Sequence, residues 1–385
     1  MKSTELYFDN AATSWPKPPA VVKSLEVYQR LVGASAGRGA YPRAQASGEI
    51  LAGCRRALAD LVNAPDPRRV IFSLNCSDAL NLGIHGLSWK RGDRALVTPF
   101  EHNSVLRPLH ALKARLGIAI DVMPVDAEGR VLLKKLSGAL RPRTKLIACV
   151  HASNVTGGIQ PVAEVGAFAR RNGIPFLVDA AQSAGALPID MAAMKIDLLA
   201  FPGHKGLLGP LGTGVLVLSK GVDLDPLRQG GTGSLSEVEF QPDFYPDRLE
   251  PGSHNAPGLL GLWEGVKFVV ERGVGAIRQH EQSLIDQFLG GLESHPSLRV
   301  FGPSERSQRV AVVSLRWGNE DPRRTAARLW DHHRVMVRAG LHCAPWAHKQ
   351  IGTFPQGTFR FSFGPFVTSQ QIDSALKALT ALASR

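Results

Sequence analysis

From residue 70 onward, short unbroken apolar runs alternate with segments whose apolar residues recur at helical spacing. The runs are 70–72, 95–97, 118–120, 145–150, 175–178, 198–201 and 214–218, and helical stripes fall at 77–87, 104–116 and 162–171. Short runs rich in Val, Ile and Leu, with no polar alternation, predict strands covered on both faces. Their alternation with helices predicts an α/β unit with a mostly parallel seven-stranded sheet and its chemistry at the strand C-terminal ends. Upstream lie an extended entry at 7–14, a helix over 19–31 and a second over 46–62. Between those helices is a polar segment in which Gly33, Gly37 and Gly39 surround Arg38. After a loop-rich stretch at 223–250 the pattern changes to helices at 258–271 and 274–292, a strand at 310–315, a helix at 323–331, strands at 335–337 and 358–363, and a helix at 369–382. This predicts a large domain over 1–257, whose segment 1–20 packs on a smaller α+β domain over 258–385; 385 residues exceed one typical core.

Composition narrows the class. With 44% hydrophobic and 20% charged residues the chain is an ordinary folded protein. Cys54, Cys76, Cys149 and Cys343 form no C-x-x-C pair, which argues against a disulfide framework and a zinc site and fits a reducing cytoplasm. The N-terminus has no apolar signal-like core and no run reaches the length of a membrane span, so a cytoplasmic protein with no membrane association is expected. The net charge of +12 comes from 45 Lys and Arg against 33 Asp and Glu, with arginines scattered along the chain. A nucleic-acid binder would gather that charge on one element with interleaved aromatics, so no direct nucleic-acid binding is expected.

The candidate chemistry starts at Phe201-Pro202-Gly203-His204-Lys205-Gly206, where a lysine sits in a glycine-rich turn behind an apolar strand. A surface lysine needs no such turn. A lysine serving as a nucleophile in a desolvated pocket does, because burial lowers its pKa and close packing needs small neighbours. Four more polar clusters follow predicted strands: Asn75-Cys76-Ser77-Asp78 at a helix start, Phe100-Glu101-His102-Asn103-Ser104, His151-Ala152-Ser153-Asn154-Val155-Thr156-Gly157-Gly158, and Val178-Asp179-Ala180-Ala181-Gln182-Ser183. A helix N-terminus favours a phosphate. Asp179 reads either as a helix N-cap or as a buried functional acid. Together the clusters describe a pocket with a phosphate end, an acid and an amine, which is the set that pyridoxal 5′-phosphate (PLP) requires.

The order Tyr7-Phe8-Asp9-Asn10-Ala11-Ala12-Thr13, Glu101-His102, Asp179-Ala180-Ala181-Gln182, Gly203-His204-Lys205, Glu250-Pro251-Gly252-Ser253-His254-Asn255, Arg338-Ala339-Gly340-Leu341-His342-Cys343 and Phe359-Arg360-Phe361-Ser362 resembles the cysteine desulfurases. These belong to the class V aminotransferase group of fold-type I PLP enzymes, and the resemblance covers essentially the whole chain. It implies that Lys205 is the Schiff-base lysine, that Asp179 partners the pyridine nitrogen, that Gln182 bonds the phenolic oxygen and that His102 stacks on the ring. Cys76, Ser77 and His204 would contact the phosphate. Ser253 would reach the phosphate of a neighbouring subunit, hence a homodimer. Asn154 would lie by cofactor and substrate, and with Arg360 would hold the substrate carboxylate, with Arg338 nearby. In strand 358–363 Arg360 alternates with Phe359, Phe361 and Phe363, which places it on the face opposite them. It reads as a carboxylate ligand or as a surface ion pair.

Cys343 decides the reaction. It stands in a non-periodic stretch of small and polar residues, unlike Cys54 and Cys149 on apolar stripes, and a thiol near His342 and Arg338 could be activated as thiolate. The resemblance implies transfer of sulfur from L-cysteine to Cys343 as a persulfide, with release of L-alanine and passage of the sulfur to a protein acceptor. An iron–sulfur scaffold, a tRNA thiolation enzyme and a specialised pathway protein remain open as acceptors. A selenocysteine lyase or cystine C–S lyase is the alternative within the fold, and a non-enzymatic basic scaffold is the alternative outside it. Two residues depart from the family pattern: Pro202, where Ser or Thr is usual, and Tyr41, where His is common.

Overall fold

The computed structural model describes residues 5–37, 39–293 and 295–383, so residues 1–4, Arg38, Ser294, Ser384 and Arg385 of the sequence lie outside it. The chain enters as β1 (Leu6–Tyr7) and forms helices α1 (Pro19–Val27) and α2 (Pro42–Leu61). It then lays down β2 (Val70–Ser73), α3 (Cys76–His85), β3 (Arg94–Val97), α4 (Asn103–Leu116), β4 (Ala119–Val122) and the single turn α5 (Leu136–Ala139). Next come β5 (Thr144–Val150), α6 (Val162–Arg171), β6 (Phe176–Asp179), β7 (Leu198–Pro202) and β8 (Gly214–Leu218).

These strands make a seven-stranded sheet in the order β2-β8-β7-β6-β5-β3-β4, as the apolar runs predict. Every pairing is parallel except the two made by β8. Residues of β6, β7 and β8 are buried without exception. Alternate side chains enter two cores, as the pleat requires. Cys149, Val178, Leu199 and Phe201 pack with Cys54 and Leu58 of α2 on one face. Ala148, Leu177, Leu198 and Ala200 pack with Leu80 of α3 and Leu109 of α4 on the other. Cys54 and Cys149 are therefore core residues. Because β2, β3, β5, β6 and β7 run in one direction, their C-terminal ends share one edge, where ligands bind in open α/β sheets.

After the loops of 219–255 come α7 (Ala256–Arg272) and α8 (Val274–Leu292). Leu259, Leu262 and Val266 of α7 belong to the core under the large sheet, whereas Ile285, Phe288 and Leu292 of α8 pack elsewhere. The remainder is β9 (Leu298–Phe301), β10 (Val312–Trp317), α9 (Pro322–His333), β11 (Val335–Met336), β12 (Arg338–Gly340), α10 (Pro345–Gln350), β13 (Thr358–Ser362) and α11 (Ser369–Ala383). A second sheet has the order β12-β13-β10-β9.

Two strands of the second sheet region depart from the sequence pattern. The strand expected at 310–315 starts at Val312, because the loop after β5 takes the preceding residues: Gly158 bridges Arg309, and Val310 N donates to Gly157 O at 2.9 Å. The strand expected at 335–337 is two short strands, β11 pairing in parallel with β1 and β12 antiparallel with β13. Neither β9 nor α10 has a marked apolar signature of its own. The β1–β11 pairing, together with Leu6 and Phe8 in the apolar cluster of Phe288, Phe359 and Phe361, ties the chain's entry to the second sheet.

Glu281 of α8 is buried and lines a cavity of about 40 Å³ that also touches Gln182 and Lys205. Burial pushes its carboxyl up to about 8. Between the ordinary range of about 4.3 and that value the unfolded chain is ionised while the folded chain keeps the proton, so stability falls as pH rises. Glu281→Gln is therefore expected to raise the melting temperature by several degrees at about pH 8 and to leave it unchanged at about pH 4. An equal shift at both pH values would show that ionisation of Glu281 is not the cause.

Candidate active site

A cavity of about 230 Å³ opens at the C-terminal edge of the large sheet, and each parallel strand with a polar sequel delivers a group to it. β7 runs into Lys205, β6 ends on Asp179 with Gln182 beyond, β5 leads to Asn154, β3 leads to His102, and β2 leads to Cys76 and Ser77 at the start of α3. The second sheet contributes Arg338 from β12 and Arg360 from β13, and the turn after β12 contributes Cys343. Eleven of the twelve site residues read from the sequence line this one cavity. Ser253 does not. It lines a separate cavity of about 100 Å³ with Arg228 and His254.

The glycine-rich turn serves close approach more than unusual backbone angles. Leu208 N donates to Lys205 O at 2.8 Å and Gly209 N to Gly203 O at 2.8 Å, closing the chain on itself. A Cβ on Gly206 would collide with the carbonyl of Ala184, and one on Gly203 with the Thr213 hydroxyl. Pro202 lines the cavity as the last residue of β7; it has no N–H to offer a ligand. Tyr41 is 55% exposed, precedes α2 and does not line the cavity.

Burial is the largest influence on Lys205 and lowers its ammonium, opposed by Cys76 and the Asp179 carboxylate. Burial likewise raises the carboxyl of Asp179, against a hydrogen bond from Ala181 N at 2.9 Å. The thiol of Cys76 lies 3.8 Å from Asp179 Oδ1, and burial and that carboxylate push it well above the ordinary thiol range. His102 caps α4, its Nδ1 accepting from Ser104 N at 3.1 Å. Burial and the positive charge of Lys205 bring its ring down to about 4, so at neutral pH it is an uncharged flat surface. Ser104 links it to the start of α3, with the Ser77 and Ser104 hydroxyls 2.6 Å apart. Beneath them Glu101 is fully buried, accepts from Thr98 Oγ1 and Val150 N at 2.6 and 2.7 Å, and is pushed up to about 7 by burial. Gln182 Nε2 donates to Ala11 O at 3.0 Å.

The turn carrying Cys343 is held in an unusual conformation. His342 and Cys343 have φ of 47° and 57°, two successive non-glycine residues in the left-handed region. Two hydrogen bonds fix them: Asn103 N donates to Cys343 O at 2.7 Å and Asn154 Nδ2 to His342 O at 2.6 Å. Asn154 thus spends a side-chain donor on the thiol-bearing turn, and its backbone carbonyl accepts from Arg360 Nη1 at 3.0 Å. His342 does not activate the thiol as a cation. Its ring is buried, lies 3.1 Å from Thr358 Oγ1, and is held well below the usual imidazole range by burial. Cys343 itself is exposed. Arg360 is 2% exposed, on the strand face opposite Phe359 and Phe361, and its Nη2 donates to Asp9 Oδ1 at 2.8 Å. Sequence patterns place Ser104 in the polar cluster with His102 but missed its contact with Ser77 and that of Asp9 with Arg360, since each joins residues from different elements.

The donor set fits the cofactor that the sequence implies. Cys76 and Ser77 begin a ten-residue helix at one end of the cavity, where backbone N–H groups favour a phosphate. A buried carboxylate, a flat neutral imidazole and a buried amine occupy the rest, and Arg360 Nε and His204 Nδ1 are buried there without a partner among the described residues. These are the complements of a cationic ring nitrogen, an aromatic face and an aldehyde.

Comparison with known proteins shows the family. The family model for "Aminotransferase class-V" matches residues 6–375. A protein named "Probable cysteine desulfurase" from Pyrococcus abyssi is 35% identical over 390 aligned positions, 98% of this chain and 94% of its own length. Its namesake in Methanothermobacter thermautotrophicus is 32% identical, with 98% and 94% covered. The apo structure of a cysteine desulfurase from Thermococcus onnurineus NA1 superposes with a TM-score of 0.93 at 33% identity, covering 99% of this chain and 95% of that one. The chain belongs to the cysteine desulfurases, within the class-V aminotransferase family.

Proposed function

We propose that the protein is a PLP-dependent cysteine desulfurase that converts L-cysteine to L-alanine and retains the sulfur on Cys343 as a persulfide. The observation that carries this is the meeting of Lys205, Asp179, Arg360 and Cys343 at one cavity, contributed by four separate segments. Bound there, pyridoxal phosphate would supply an electron sink for the pair released at Cα. Lys205, His204, Asp179, Gln182, His102, Cys76 and Ser77 are the residues that would hold it. Arg360 would orient the substrate by its carboxylate, through the guanidinium edge that includes the unpartnered Nε.

Lys205 Nζ, its ammonium form disfavoured by burial, would take the Cα proton and later return it to Cα, while the proton released from the Cys343 thiol goes to Cβ. Cys343 Sγ would attack the substrate sulfur. The new S–S bond forms as the Cβ–S bond breaks, and the bond pair stays on Cβ, which becomes the alanine methyl. The balance is L-cysteine plus Cys343–SH giving L-alanine plus Cys343–S–SH, with no external oxidant. Release of the sulfur to an acceptor thiol would restore Cys343.

We propose further that the enzyme works as a homodimer. Ser253 lies outside its own chain's cavity, and Phe240, 82% exposed, and Val238 stand in the preceding loop region as apolar groups without cover. We propose two domains, a large one over 1–257 and a smaller one over 258–385, with α7, whose Leu259, Leu262 and Val266 pack in the core under the large sheet, as the helix that joins them. Four free cysteines support a reducing cytoplasm, and among the described residues no helix is long and apolar enough to cross a membrane. The decisive experiment incubates the protein, PLP, L-cysteine and dithiothreitol and quantifies alanine and sulfide. Equal yields are expected; pyruvate in place of alanine would overturn the assignment.

A further inference from the structure

Two buried histidines stand beside the turn that carries Cys343, and each lacks one partner. His342 and His348 are 6% and 0% exposed, and their ring centroids lie 5.6 Å apart. His342 Nε2 is 3.1 Å from Thr358 Oγ1 of β13, and His348 Nδ1, on α10, is 2.7 Å from Thr353 Oγ1. The other nitrogen of each ring, His342 Nδ1 and His348 Nε2, is buried with no hydrogen-bond partner among the described residues. An unpaired buried polar atom is costly. Two of them on neighbouring rings satisfy one another when one ring brings the proton and the other the lone pair.

The threonine hydroxyls set where the protons are. Thr358 Oγ1 donates to Ser314 Oγ at 3.1 Å, so it accepts from His342 Nε2–H, and Nδ1 of that ring is a bare acceptor. The Thr353 hydroxyl has its better acceptor in His348 Nδ1 at 2.7 Å, the His348 carbonyl being 3.5 Å away, so Nδ1 accepts and Nε2 carries the proton. The Leu341 carbonyl favours a proton on the His348 ring as well, although its geometry falls short of a hydrogen bond. One ring thus offers a donor and the other an acceptor. We propose that His348 is a positioning residue for Cys343: its Nε2–H serves His342 Nδ1, directly or through one water molecule, and fixes the side chain of the residue that leads into the thiol. The backbone supplies the need. His342 and Cys343 are both left-handed, a conformation that non-glycine residues keep only while their surroundings hold them. Asn103 N holds the Cys343 carbonyl and Asn154 Nδ2 the His342 carbonyl, and His348 adds the hold on the His342 ring. The role rests on the reading of Cys343 as the sulfur acceptor.

The test compares wild type with H348M, H348Q and T353V, all loaded with PLP. Methionine has similar bulk and no donor, whereas glutamine returns an N–H near the position of Nε2. Hydrogen–deuterium exchange reads the turn without any chemistry, at the amides of Asn103 and Ala344, which donate to Cys343 O and Leu341 O at 2.7 and 2.9 Å. In H348M both are expected to exchange about tenfold faster, the scale of one lost buried hydrogen bond. Leu208 and Gly209, whose amides close the Lys205 turn, should keep the wild-type rate. In H348M kcat for alanine release should fall about tenfold through misplacement of the thiol, with KM for L-cysteine unchanged. H348Q should recover most of both effects. Unchanged exchange at Asn103 and Ala344 in H348M overturns the proposal, as does faster exchange there with an unchanged kcat. Faster exchange in both turns, or an equal loss in H348Q, also overturns it by making His348 a general packing residue. Should H348M not fold, T353V removes the hydroxyl that sets the His348 tautomer: the same two amides are expected to exchange about threefold faster, and no change overturns the proposal. A wild type that makes no alanine from L-cysteine would defeat the functional reading instead, while exchange still reports on the turn.

Discussion

Lys205→Ala is expected to lower alanine formation from L-cysteine by about a thousandfold or more, within the range for loss of a positioned proton-transfer group. The variant should fold normally, since the turn is held by its backbone bonds and by glycine packing against Ala184 and Thr213 rather than by the lysine side chain. Burial lowers the Lys205 ammonium, so the free amine is more readily reached than in a solvated lysine. Lys205→Arg separates charge from chemistry. It keeps a cation beside Asp179 but has no group that gives up a proton in this range, so it should be as inactive as the alanine variant. The checks are the initial rate of alanine release and the visible absorbance of the purified protein before and after borohydride. Wild-type turnover by either variant would remove Lys205 from the mechanism.

Cys343→Ser should abolish persulfide formation and reduce alanine release at least about a hundredfold, because a hydroxyl is a far poorer nucleophile toward sulfur. Structure makes this a narrow test. The substitution is nearly isosteric, and the turn's left-handed pair is fixed by Asn103 N and Asn154 Nδ2 acting on backbone carbonyls, which serine leaves untouched. The remaining thiols are poor substitutes. Cys54 and Cys149 are in the core, and Cys76, although it lines the same cavity, has its thiol pushed well up by burial and by Asp179. Mass spectrometry after exposure to L-cysteine should find one added sulfur on wild type and none on the variant. An added sulfur on Cys76 in Cys343→Ser would show that the cavity itself, rather than the Cys343 turn, selects the acceptor.

The large sheet was legible because its strands are buried on both faces. Such strands must be continuous in apolar residues, and Leu198–Pro202 and Gly214–Leu218 show it. The strand-edge part of the cavity was legible for a related reason. Lys205, Asn154 and His102 follow parallel strands and Asp179 ends one, and parallel strands must deliver their C-terminal sequels to one edge. The second sheet was harder. Leu298–Phe301 is half exposed and pairs on one side only, and Val335–Gly340 divides between partners distant in the chain. Neither leaves a periodic trace.

Local sequence, then, determined the elements, the strand-end chemistry and the family, since those depend on burial patterns and residue types that each segment carries itself. The tertiary structure alone decided three other matters. It bound Asp9 to Arg360 across the whole length of the chain, made His342 neutral by burying it, and turned Asn154 toward the thiol-bearing turn. Charge state, desolvation and hydrogen-bond direction depend on which groups meet in space. No segment read by itself contains its neighbours in the fold.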